Sequence, residues 1–277
     1  MNIVRRLLSS SGGSIEGSEQ ETDSGLPGST IKTPEQELLG LNHLKKIHVD
    51  YANSPGEAQE KEEKLYAMLP LFCNVFSSVA PKVISERFSD EVNPFTLAVS
   101  RLLVTEVRRR ASNQSTEEAA SAIATFLEVD QSGGGNGWHL LSTLSLLVGE
   151  GDDLSELMTN SSLPSTLVKC LYLFFDLPLL DNGEAGDVEA GASSHNYTAK
   201  ERRLLLQKMF IQVLLKLCTY QPAVEELARK DDLTLLFSAV TSECPSHNVM
   251  WRKTAADLLL TISRHSLSQP VISYLHG

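Results

Sequence analysis

The stretch Leu204–Val240, LLLQKMFIQVLLKLCTYQPAVEELARKDDLTLLFSAV, decides the fold. A long apolar helix, Leu204 to Cys218, comes first, and Pro222 opens a short one that ends near Ala228. Asp231 and Asp232 then start a third helix through Leu233, Leu236, Phe237 and Val240, with acids placed where a helix N-terminus favours them. None of the three can bury its apolar face alone. They need neighbours of the same kind stacked on either side.

Those neighbours are visible in the sequence. Leu154, Leu157, Met158 and Leu163 precede Val224, Leu227, Ala228 and Leu233 by a constant 70 residues. Between the two sets lies a polar insertion, 177–198, with four acids, three glycines and no Lys or Arg, which reads as a solvated loop. Without it the period is near 48, and Val271, Tyr274 and Leu275 repeat the pattern 47 residues further on. Such periods with two or three helices per unit belong to armadillo and HEAT arrays. No period-two alternation bounded by turns occurs, so strands are not expected. The fold class is therefore all-α, an armadillo/HEAT-like α-solenoid.

Upstream, Thr33 caps a helix with Pro34 at its first position and Gln36 three residues on, and Leu38, Leu41, Leu44, Ile47 and Tyr51 form one face. Further helices are expected from Glu57 (kinked at Pro70), from Pro81, from Phe95 to Ala111, after Ser115, and from Trp138 to Val148. The glycine run Gly133–Gly137 reads as a flexible loop. Residues 1–33 are a disordered leader, rich in Ser, Gly and Thr and poor in apolar surface. The repeat domain is expected to span 34–277. The apolar Val271–Leu275 segment lacks the polar outer face of a terminal repeat, so a longer parent solenoid is expected.

With 24 Lys and Arg against 35 Asp and Glu, the net charge of −11 repels phosphate backbones and anionic headgroups. Nucleic acid is not an expected partner. Arg5 and Arg6 are followed by only Leu7 and Leu8 before a polar stretch, so there is no signal-peptide core, and no apolar run reaches the roughly 18 residues of a membrane span. Cys73, Cys170, Cys218 and Cys244 lie far apart in or beside apolar segments, as reduced, buried thiols of a cytoplasmic protein do. The seven histidines show no ligand spacing, and Trp138 and His139 follow the glycines where a phosphate loop needs Lys-Ser/Thr. No metal, cofactor or catalytic constellation is read, and the chain is taken as a non-enzyme.

Two clusters are candidates for contact or regulation. Arg108, Arg109 and Arg110 precede Ser112. They read as a solvated helix end, as the recognition sequence of a basophilic kinase acting on Ser112, or, without aromatic interleaving to support it, as a nucleic-acid or lipid patch. Trp251, Arg252 and Lys253 open an amphipathic helix continuing through Ala255, Leu258, Leu259 and Ile262. Trp251 is there either a packing residue or a partner anchor.

Several long words carry a resemblance: EEKLYAMLPLF from Glu62, VSRLLVTEVRRRASNQSTE from Val99, LPSTLVKCLYLFFDLP from Leu163, ELARKDDLTLLFSAVTS from Glu226 and WRKTAADLLLTISRHSLS from Trp251. Collinear over about residues 35–277, they resemble the N-terminal region of the Alfy/blue cheese family of BEACH, WD-repeat and FYVE scaffolds. The resemblance implies a segment of a very large cytoplasmic adaptor in selective autophagy of aggregates, or in endolysosomal trafficking, with other proteins as partners. The lipid-binding modules that it implies have no motif in this chain, so no binding residue is carried over.

Overall fold

The computed structural model describes residues 33–77, 79, 81–129, 134–149, 151–176, 198–241 and 248–265. The readings for 1–32, for most of the acidic insertion (177–197) and for Val271–Leu275 lie outside the described residues. The described residues are helical and contain no strand.

The elements are α1 (Pro34–Asn53), α2 (Ala58–Phe76), α3 (Pro81–Phe88), a 3-10 turn (Ser89–Glu91), α4 (Val92–Ala111), α5 (Thr116–Leu127) and α6 (Asn136–Leu147). There follow α7 (Asp152–Asn160), α8 (Leu163–Leu171), a π-helical turn (Tyr172–Asp176), α9 (Ala199–Leu217), α10 (Gln221–Leu227), α11 (Lys230–Thr241) and α12 (Val249–His265). Their starts follow from local chemistry. Thr33–Gln36, Ser115–Glu118 and Thr198–Glu201 each form a reciprocal capping box, which satisfies two orphan backbone donors per helix. Asp152 and Asp153, and later Asp231 and Asp232, sit in first turns where the dipole favours them.

The packing is a ladder. In one layer α2 lies on α6, α6 on α9, and α9 on α12. In the other, α4 lies on α7 and α8, α7 and α8 on α10, and α8 on α11, with α10 and α11 closing against α12. The chain thus repeats a long helix, a short helix and a third helix: α2–α3–α4, α6–α7–α8 and α9–α10–α11. The 70-residue sequence repeat maps α7 and α8 onto α10 and α11. Helix α1 covers α2 and α3 at the near end, where His48, Phe72, Phe76, Phe88 and Phe95 from four helices form one aromatic cluster.

Neighbouring units are also tied by buried polar groups. Ser165 of α8 donates to Asp232 of α11 (2.9 Å), and Ser238 of α11 donates to Asp176 of the π turn (2.9 Å). Asn248, buried at the start of α12, donates Nδ2 to the Phe175 carbonyl of the π-helical turn. Its Oδ1 accepts from Gln207 Nε2 of α9 (3.4 Å). Three elements therefore meet at one amide.

The last glycine of the run differs from expectation. Helix α6 begins at Asn136, so Gly137 is helical, and it is buried. A Cβ at Gly137 would stand 2.1 Å from the Phe126 carbonyl oxygen, so the absence of a side chain is what lets α6 close on α5. Gly137→Ala is expected to lower stability by about 1–3 kcal/mol despite its better helix propensity, read as a fall in urea midpoint without a change in slope.

Candidate interaction surface

The arginine cluster closes α4. Glu106, on the inward side of that helix, is buried, and it pairs with both Arg109 and Arg110 at helical spacings of three and four. Arg109 reaches further, to Glu62 of α2 (3.3 Å). Arg110 lies over the Phe126 ring of α5, 3.6 Å from its centroid. Burial, reinforced by the nearby Glu106 and Glu62 carboxylates, pushes the Tyr66 hydroxyl of α2 well above its ordinary value, and that oxygen has no hydrogen-bond partner. Arg109 and Arg110 therefore link the end of α4 to α2 and α5 at the edge of the stack. Arg108 and Arg109 are both exposed and Arg110 is half-buried; Arg108 alone of the three makes no ion pair among the described residues. Ser112 is exposed at the helix end, its hydroxyl donating to the Arg108 carbonyl (2.9 Å).

The second cluster divides in the same way. Trp251 is fully buried and packs in the core, so the partner-anchor alternative does not fit its position. Arg252 is half-buried and Lys253 exposed. Helix α12 packs on α9, α10 and α11, whereas α4 packs on α3 and on α5 to α8, so the two clusters occupy separate neighbourhoods.

Sequence reasoning missed a buried carboxylate pair between α10 and α11. Glu226 and Asp232 are both buried, and Glu226 Oε2 has no hydrogen-bond partner. Desolvation raises Glu226 to about 7, with Asp232 adding to the rise while Arg229 and Lys169 oppose it. Asp232 is raised chiefly by desolvation too, against the hydrogen bond from Ser165. The signal lay in the helical spacing: position 226 is three residues after Ala223 and next to Leu227 on the buried side of α10.

The thiols are inert by environment. Burial pushes Cys73 up to about 11 and Cys170 and Cys218 up to about 12, far from thiolate reactivity at neutral pH. Cys244 lies outside the described residues. Among the described residues no group of three or more His, Cys, Asp or Glu is placed to hold a metal ion, and no helix is long and apolar enough to cross a membrane.

Two outcomes follow from these burials. Glu106→Ala removes the shared partner of Arg109 and the half-buried Arg110 and is expected to lower the urea midpoint, whereas Arg108→Ala is expected to leave it unchanged, both read by chemical denaturation. Glu226 keeps its proton in the fold at pH values where the unfolded chain has lost it, between its ordinary 4.5 and about 7. Its contribution is complete at acid pH and is lost as pH rises through 7, so Glu226→Gln is expected to stabilise by about 1–3 kcal/mol at pH 8 and by little at pH 5. Urea unfolding at the two pH values checks this.

No protein-family model matches the chain, and no solved structure matches it. Curated relatives do. WD repeat- and FYVE domain-containing protein 4 of Mus musculus is 25% identical over 237 residues, covering 84% of this chain and 7% of the relative. The Homo sapiens protein of the same name is 26% identical over 225 residues, covering 79% of this chain and 6% of the relative. The chain thus spans a small fraction of the length of these relatives. It is similar at low identity, along most of its own length, to WD repeat- and FYVE domain-containing proteins, in keeping with the family resemblance of its long sequence words.

Proposed function

We propose that this chain is a non-enzymatic protein-interaction segment of a large cytoplasmic scaffold that serves selective autophagy of protein aggregates. One observation carries the reading: similarity to multi-module WD-repeat and FYVE proteins extends over 84% of the chain, which folds as a stacked helical ladder. A ladder exposes surface in proportion to its length, so it is suited to binding other proteins along a face. The role in aggregate clearance comes from the family resemblance. Recruitment to autophagic or endolysosomal membranes then depends on modules outside this chain.

Affinity capture from cells with the full chain as bait tests the proposal. Reversing all three arginines would break the buried Glu106 pairs, so the matched surface variant is Arg108→Glu with Lys253→Glu. Reproducible recovery of autophagy receptors or conjugation machinery is the expected result. Recovery of vesicle-tethering and endolysosomal proteins alone would move the chain to trafficking through the same helical surface. Recovery of chaperones alone would overturn the scaffold role.

A further inference from the structure

Helices α9 and α12 align at an offset of 45 residues, and the alignment holds in three dimensions. Leu206 and Trp251, Phe210 and Ala255, Val213 and Leu258, and Leu217 and Ile262 are buried at matching positions. The opposite face matches as well. Leu204 and Val249, Lys208 and Lys253, and Leu215 and Leu260 recur as one stripe along each helix, with the buried Ile211 and the half-buried Ala256 at its inner edge. The ends of both stripes are open: Leu204 is 38% exposed, Leu215 42%, Val249 55% and Leu260 53%. Helices α9 and α12 are adjacent rungs of one layer, and the Gln207–Asn248 bond fixes the start of α12 beside α9, so the two stripes lie on neighbouring helices.

A single exposed leucine needs no explanation, but four large apolar residues in two matched rows do. Core packing does not account for them, since the core uses the other face. Each row has a lysine between its apolar ends. Lys208 is half-exposed and Lys253 exposed, and neither makes an ion pair among the described residues. Glu201, one turn before Leu204, and Asp257, one turn after Lys253, flank the rows, and the counterpart of Asp257 on α9 is the neutral Gln212. In a chain of net charge −11, the middle of each row is a lysine set between apolar residues.

We propose that the outward face of α9 and α12 docks an acidic amphipathic helix of a partner protein. Leu204, Leu215, Val249 and Leu260 bury its apolar side, and Lys208 and Lys253 select Asp or Glu on its flank. The proposal rests on the scaffold reading and gives it a location.

The test is selection of a random peptide library of about 16 residues, roughly four helical turns, displayed on phage against the full chain. Selected peptides are then titrated by fluorescence anisotropy. Two double variants accompany the wild type: Leu215→Gln with Leu260→Gln, and Lys208→Glu with Lys253→Glu. The altered side chains are exposed or half-exposed, so circular-dichroism melts should match the wild type. The expected result is enrichment of acidic peptides with apolar residues at helical spacing, whose affinity falls at least about tenfold in each variant. Failure to enrich, enrichment of basic or neutral sequences, or binding that both variants retain would each overturn the proposal. So would self-association of the chain that both variants abolish, which would give the face to a second copy. Should cell capture return the same autophagy proteins with wild type and both variants, the scaffold reading stands and this surface falls. Peptide binding as described without such capture leaves the surface and removes the cellular role.

Discussion

The approach of α6 to α5 at Gly137 is the constraint on which the ladder depends. Helix α6 is buried almost all round, packed against α2, α3, α4, α5 and α9, and so it links the first unit to the rest. A helix covered on so many sides needs at least one contact at backbone distance. The Phe126 carbonyl supplies it, opposite the one residue type without a side chain. Had α6 been held off α5, α2 would have lost its successor in the ladder and α9 its predecessor.

Charged groups inside the stack have a related role. Apolar packing between helices is tolerant of small slips, because many registers bury similar area. Paired polar groups are not tolerant, because a slip leaves a buried group without a partner. The Arg109–Glu62 pair and the Arg110–Phe126 contact, made by arginines that Glu106 also holds, tie the end of α4 to α2 and α5, and the Ser165–Asp232, Ser238–Asp176 and Asn248 bonds fix the α8 region against α11, α9 and α12. Glu226 departs from this pattern. It is buried among partial compensations with one oxygen unpaired, so it costs stability as an anion rather than specifying register.

Much of this was legible in the sequence for physical reasons. The capping boxes at Thr33 and Ser115 are local, so they could be read without tertiary knowledge. The 70-residue repeat recorded the equivalence of α7–α8 with α10–α11, because matching packing surfaces need matching apolar positions. What escaped was decided between distant segments. Gly137 reads as part of a loop until Phe126 is placed beside it. Arg108–Arg110 reads as one solvated triad until the inward position of Glu106 shows that two of the three are committed. The Glu106 spacing to Arg109 and Arg110 was itself present in the sequence, and it favours pairing over a free basic patch. The capping box at Thr198 could have been read in the same way, had the start of α9 not been set at its first apolar run, near Leu204.

The α9–α12 correspondence shows a further property of a repeat array. Equivalent helices share burial because each must offer the same inward face to the stack, and this accounts for the matches at 206 and 251 or 213 and 258. That pressure does not act on the outward face, where sequence is free to vary in physical terms. Like residues there, apolar at the ends with lysine between, therefore need a cause outside the fold. Duplication alone would leave such a likeness only where nothing has altered it, and the inward face shows how far these two helices have diverged even under packing constraint, Phe210 against Ala255 and Met209 against Thr254. An outward stripe that keeps its chemistry while the core beneath it changes is what a binding face on a stacked helical scaffold would show.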